Sequence, residues 1–348
     1  MREEEVRYLI RYDNIPPGTK GIQALCRSIM ERLRRRMHRH FGLENEQWHS
    51  NRILLGLSND PLTQKFLFVV FTTVYILILL GNTLIIFLTI TDKCLHTPMY
   101  FFLINLSLLD ILYSTSSLPR MLKDLLSLHK SISYGECAAQ MYFALSFGIS
   151  ECILLAVMAY DRYIAICYPL RYTTIIKQSF CIKIAISIYI CGFLLSISHV
   201  ALTFNVNLCG HNKINHFICE GPEIISLGCG NISAVEFVIY LCAIVLLLIP
   251  VTFIAISYIR IILTILNLAS GAGKQKAFST CSSHIMVVTI FYGSAMAAYM
   301  KPKSSSIPDK DKIIAVFYAF LTTLLNPFIY TIRNKDVKES LKKLDRFM

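Results

Sequence analysis

The chain has 348 residues, 55% hydrophobic and only 16% charged, with a formal net charge of +12 and a positive mean hydropathy of +0.54. Soluble globular domains carry roughly 25% charged residues, so the groups that cover a wet surface are missing and a soluble globular protein is excluded. A transmembrane helix needs ~20 mostly apolar residues, and several windows supply them.

Residues 1–50 form a basic N-terminal extension. Within CRSIMERLRRRMHRHF (26–41), Ile29, Leu33 and Met37 have the spacing of an amphipathic basic helix. The alternatives are a nucleic-acid or membrane-surface patch and a solvated, disordered leader. The leader is the reading carried forward, with no nucleic-acid partner. No early run has the short apolar core and small-residue cleavage site of a secretory signal, so the first span is expected to act as an uncleaved signal-anchor.

That span is 66–91, without a charge. The second covers about 98–118 and contains Asp110. The third, 137–160, has Glu151 as its one charge, and the fourth, 180–204, has Lys183 near its start. The fifth, 235–262, contains Pro250; the sixth and seventh cover 277–300 and 313–332. The expected fold is an all-α membrane protein, a seven-transmembrane helix bundle. The helical body covers 51–343, with a long loop at about 205–234 and a short tail at 333–348. In MAYDRYIAICYPL (158–170) the third helix is expected to end on the charged step Asp161-Arg162, ahead of Pro169, which cannot continue a helix.

An odd number of spans puts the chain ends on opposite sides. Lys and Arg are in modest excess where segments are cytoplasmic with the C-terminus inside, Arg162, Arg171, Lys177, Arg260, Lys338 and Lys343 among them. The N-terminus is then extracellular and the C-terminus cytoplasmic. Four of the twelve cysteines fall outside: Cys137, Cys209, Cys219 and Cys229. An even number in an oxidising compartment suggests two disulfides. His211 and His216 in CGHNKINHFICE leave a metal site as the alternative.

Polar groups inside a bilayer are costly and therefore functional candidates. Asn82, Asp110, Glu151 and Asn326 lie in four different spans at comparable depth. They are read as one water-filled site, sharing a proton or a Na⁺ ion. SGAGKQK (270–276) hints at a phosphate loop. It lacks the Ser or Thr after Gly-Lys and the upstream glycine, so the hint fails. No half-to-half repeat supports a transporter, which stays as an alternative.

LHTPMYFFLINLSLLD (95–110), MAYDRYIAICYPLRY (158–172), KAFSTCSSH (276–284) and LNPFIYTIRN (325–334) together resemble the signatures of odorant receptors, a rhodopsin-like branch of the seven-helix G-protein-coupled receptors. The resemblance runs over about 51–343. It implies that Asp161, Arg162 and Tyr163 are the switch to a heterotrimeric stimulatory G protein that raises cAMP, and that Asn326, Pro327 and Tyr330 belong to the seventh-helix activation motif. It also implies the pairings Cys137–Cys219 and Cys209–Cys229, a small-molecule odorant as partner, and a plasma-membrane setting among lipid. No acid stands at the foot of the sixth span, only Lys274 and Lys276, so a second ionic partner for Arg162 is missing.

The family binds its ligands in the outer half of the bundle. Counted back from Arg162, that depth holds Leu145, Gly148 and Ile149 on the third helix. The fifth offers Cys242 and Leu246, the sixth Tyr292, Ala295 and Tyr299. None is charged, so the expected ligand is small, neutral and mostly apolar, with Tyr292 and Tyr299 offering hydroxyls. The family's N-terminal glycosylation sequon is absent from 1–65. Asn231-Ile-Ser233 fits the sequon, close to the fifth span.

Overall fold

The computed structural model describes residues 52–209, 212–267, 271–300 and 308–347. The basic extension with Ile29, Leu33 and Met37, together with His211, lies outside the described residues. Among those described, seven helices are long and apolar enough to cross a membrane. They are α1 (Pro61–Thr91), α2 (Pro98–Leu126), α3 (Tyr134–Cys167), α4 (Gln178–Phe204), α5 (Ser233–Leu266), α6 (Gly271–Tyr299) and α7. The last comprises Pro308–Val316, a π-helical turn Phe317–Leu321 and Thr322–Arg333.

The helix starts follow from local chemistry. Asp60 caps α1, its carboxylate accepting from the Thr63 backbone N–H at 2.8 Å, with Pro61 in the first turn, where no N–H is missed. Ser133 and Glu136 form a reciprocal capping box on α3. Two helices outrun the sequence expectation. α2 continues through Pro119 to Leu126 instead of stopping at 118. The turn after the proline is held by Arg120, whose Nε donates to both Asp124 oxygens at 3.1 and 3.0 Å. α3 does not end on Asp161-Arg162. It runs on to Cys167, because Pro169 constrains only its own position and Tyr168 before it.

α3 is the central rod, packing on α2, α4 and α5. Its most apolar window is 56% buried, against 17% for α5 and 28% for α4, so the outer helices turn most of their apolar surface to lipid. α3 and α4 meet closely at Gly192. A Cβ there would lie 2.6 Å from the Ser146 backbone oxygen, a distance only glycine avoids.

The two ends of the bundle differ. One end carries a three-stranded sheet: β1 (Arg52–Leu54) lies between β2 (Ser131–Ile132), antiparallel, and β3 (Lys213–Ile214), parallel. Leu54 is fully buried beneath it. Gly56 leaves the strand at φ +71°, the left-handed region glycine tolerates. At the opposite end the tail forms α8 (Lys335–Phe347). Tyr100 of α2 donates to Asn334 at 3.1 Å and Asp336 at 3.0 Å at the α7–α8 junction. Lys343 donates to Asp92 at 2.9 Å and thereby lowers the Asp92 pKa to about 2.

Candidate ligand cavity and switch

A cavity of about 150 Å³ opens near the sheet end, walled by all the spans except α1 and roofed by residues 218–222 of the α4–α5 loop. The roof is fixed covalently and by hydrogen bonds. Cys219 is bonded to Cys137 at the start of α3, with Cα atoms 5.4 Å apart. The Cys219 backbone N–H donates to Gln140 Oε1 at 3.0 Å. A second bridge, Cys209–Cys229, has Cα atoms 5.6 Å apart and closes a loop of its own. Among the described residues no group of three or more His, Cys, Asp and Glu suits a metal. His216 is 2% exposed and stacks on Phe217 at 4.6 Å. Asn231 stays exposed, its Oδ1 accepting from the Ser233 N–H at 3.3 Å.

Leu145, Gly148, Ile149, Leu246, Ala295 and Tyr299 line the cavity. Two other expected residues do not. Cys242 is exposed, because the α5 stripe facing the cavity is Ile239, Ala243 and Leu246, and Cys242 lies to one side of it. Tyr292 sits one residue past the inward row Phe291, Ala295 and Tyr299. It turns to α3, where its hydroxyl donates to the Cys152 carbonyl at 2.8 Å. It ties two helices together and offers no hydroxyl to a ligand.

The expectation of a wall without acids is also corrected. Glu151 and Glu220 both line the cavity, while Lys and Arg are absent from the lining. Glu151 reaches the cavity floor because it lies one turn from Gly148 on the same α3 face. Glu220 immediately follows Cys219, so the disulfide turns it inward. Its carboxyl is pushed up to about 8 by burial first and by Glu223 second. Sequence reading passed over Glu220 because its position depends on the roof, although an acid directly beside a bridged cysteine was visible.

Beneath the cavity, Asn326 Nδ2 donates to both Asp110 oxygens at 3.1 and 3.0 Å. Asn82 Nδ2 donates to the backbone carbonyls of Ile78 at 3.1 Å and Thr323 at 3.4 Å. Asn82 Oδ1 and Glu151 Oε1 are buried acceptors with no partner among the described residues. The structure thus joins Asp110 with Asn326, sets Asn82 against α7, and leaves one oxygen of Glu151 open to a further partner.

At the α8 end, Asp161 accepts from the Tyr172 hydroxyl at 2.8 Å. Burial and the Asp161 charge push the Tyr172 pKa up. Among the described residues no ion pair joins Asp161 to Arg162, since neighbours on a helix point about 100° apart. Arg162 is 7% exposed, and Tyr163 donates to Tyr168 at 3.4 Å. Pro327 lies inside α7, and the Tyr330 hydroxyl is buried without a partner among the described residues. Tyr258 and His284 Nδ1 are 2.7 Å apart in the same region. Sequence reading treated His284 only as part of a signature, because a partner 26 residues away on another helix leaves no local trace.

Comparison with known proteins agrees with this architecture. The family model described as olfactory receptor matches residues 71–346. Olfactory receptor 2F1 of Homo sapiens is 46% identical over 303 residues, 87% of this chain and 96% of the relative. Olfactory receptor-like protein OLF3 of Canis lupus familiaris shows the same identity and coverage. Olfactory receptor 2D2 of Homo sapiens is 48% identical over 292 residues, 84% of this chain and 94% of the relative. The chain belongs to the olfactory receptor family, the odorant-binding G-protein-coupled receptors, and is a multi-pass plasma-membrane receptor rather than an enzyme.

Proposed function

We propose that the chain binds a small, neutral, mostly apolar odorant in the roofed cavity and activates a stimulatory G protein to raise cAMP. The observation that carries this reading is the cavity itself: roofed by a pinned loop and free of Lys and Arg in its lining. Acids in the wall disfavour carboxylate ligands. Glu220, raised to about 8, gives an amine little fixed charge to pair with at neutral pH. Burial of apolar ligand surface contributes ~25 cal/mol per Å². A ligand of few atoms binds on the order of micromolar.

The proposed orientation sets the cavity end outside with the N-terminus and α8 in the cytoplasm. The receptor body is 51–343, and residues 1–50 are dispensable for signalling. Asp161, Arg162 and Tyr163 with Asn326, Pro327 and Tyr330 form the switch. Arg162 is released to a G-protein helix when α6 moves out. Na⁺ suits Asp110, Glu151 and Asn82, whose free Oδ1 and Oε1 atoms are hard oxygen acceptors. When bound it supplies the positive charge that two neighbouring acids lack.

A luminescent cAMP reporter in cells, screened with neutral volatiles, tests the reading. Arg162→Ala is expected to abolish the ligand-dependent signal while surface receptor persists. Undiminished signalling from that variant overturns the switch assignment. Amines or carboxylates as the strongest agonists overturn the ligand class.

A further inference from the structure

Glu220 is part of a hydrogen-bonded chain that joins three elements around the cavity. Tyr299 of α6 donates to the Tyr318 hydroxyl of α7 at 3.3 Å, with the two rings 5.5 Å apart. Tyr318 in turn donates to Glu220 Oε1. All three residues line the cavity. Tyr318 is presented by the π-helical turn Phe317–Leu321, a local widening that recurs at functional sites.

The second carboxyl oxygen, Oε2, takes part in no hydrogen bond among the described residues. The lining holds His199 of α4 but no Lys or Arg, so an ionised carboxylate at the half-buried Glu220 would have the Tyr318 hydroxyl and no fixed cation to pair with, which is costly. Glu223, three residues on, adds a like charge, and with burial it raises the Glu220 pKa. The acid is therefore held neutral. With Oε1 engaged as the acceptor from Tyr318, a neutral acid carries its proton on Oε2. An acid kept neutral so that it donates a hydrogen bond is an established chemical arrangement.

We infer that Glu220, positioned by Tyr318 and Tyr299, is the hydrogen-bond donor of the cavity, and that the ligands carry an uncharged acceptor head (a ketone, aldehyde or ester) on an apolar body. This rests on the cavity being the ligand site. Glu220→Gln keeps both features the assignment needs, because the amide carbonyl accepts from Tyr318 and the amide N–H donates. Glu220→Leu keeps neither.

The first measurement needs no agonist. Infrared difference spectra of purified full-length receptor, wild type against Glu220→Gln at neutral pH, are expected to lose a neutral carboxylic-acid C=O band. Loss of a carboxylate band instead overturns the inference. Cyclohexanone, cyclohexanecarbaldehyde and cyclohexyl acetate are then added in turn, with cyclohexane as the matched body without a head. The acid band is expected to shift with at least one acceptor and not with cyclohexane. A band that no acceptor moves overturns the ligand class.

In cells, with surface receptor equalised by flow cytometry, Glu220→Gln is expected to respond to acceptor-headed agonists within about threefold of wild-type potency. Glu220→Leu is expected to lose about tenfold, the worth of one hydrogen bond. Equal loss in both variants, or a cyclohexylamine response abolished by Glu220→Gln, overturns the donor role. A wild-type receptor that is silent to the whole panel counts against the cavity as ligand site, while the infrared result still decides the state of Glu220.

Discussion

The Asn82 side chain donates to the backbone carbonyl of Thr323 at 3.4 Å, the carbonyl that Pro327 leaves without a helical partner. In a regular helix the N–H four residues on would take that oxygen, and proline has none. α1 thus repairs the gap that proline opens in α7. The repair needs close approach, and Gly81 permits it: a Cβ there would come within 2.9 Å of Pro327 Cγ.

The repair predicts a specific non-additivity. Asn82→Ala strands a buried acceptor and is expected to cost about 1–3 kcal/mol of stability. In a Pro327→Ala background the helix supplies its own N–H, and the Asn82 substitution is expected to cost markedly less. A double-mutant cycle on the thermal unfolding of detergent-purified receptor measures this. Strictly additive penalties show that the two residues are not coupled.

Gly192 tests the α3–α4 contact. Its missing Cβ would meet the Ser146 backbone oxygen, which cannot rotate away. Gly192→Ala is expected to cost about 1–3 kcal/mol through overpacking. Trimming the neighbouring side chain with Ser150→Ala is expected to recover little of it, because the backbone obstacle remains. Full rescue in the double variant, read from melting temperature, places the strain on the side chain alone.

The parts of this molecule that a sequence shows are those set by local chemistry. Apolar windows exposed the seven spans, since a bilayer imposes length and composition on every one of them. The face that each residue presents depends on helix rotation within the bundle. Hence Tyr292 and Cys242 looked as suitable as Phe291 and Ala243, and only the assembled helices separate them. Glu151 was assigned to the polar cluster alone, yet it also lines the cavity. β1 was invisible because three residues, Arg52–Leu54, acquire a strand only from two partners far along the chain. Helix ends were misjudged where side chains outside the apolar window carry the backbone onward, as Arg120 and Asp124 do beyond Pro119.

The roof gives a thiol prediction. The Cys137–Cys219 bridge spans 82 residues of sequence, and removing a native disulfide typically costs about 2–5 kcal/mol. Loss of either thiol is expected to cut surface display sharply, and loss of both is expected to be no worse than loss of one. Mass mapping that finds Cys219 bonded to Cys209 refutes the pairing.

The roof also carries a pH dependence, through His216. Its ring is buried against Phe217, and Nδ1 accepts from the Ile218 backbone N–H at 3.3 Å. Its own carbonyl accepts from Gly56 N–H at 3.1 Å, so it braces β1 as well as the roof. Desolvation first, and the Lys312 charge to a smaller extent, lower its pKa from 6.5 to about 4, offset in part by a backbone hydrogen bond. Between those values the unfolded chain binds the proton and the folded one does not. Stability conferred by the neutral ring is therefore complete above pH 6.5 and falls as pH drops from 6.5 toward 4. The full loss is on the order of 3 kcal/mol at one pKa unit per 1.36 kcal/mol. The melting temperature of wild-type receptor is expected to fall through this window more steeply than that of His216→Gln, which cannot take up a proton. The variant starts lower at neutral pH, because its side chain packs less well on Phe217, and the two curves converge toward pH 4. Parallel curves for the two proteins assign the acid sensitivity to another group.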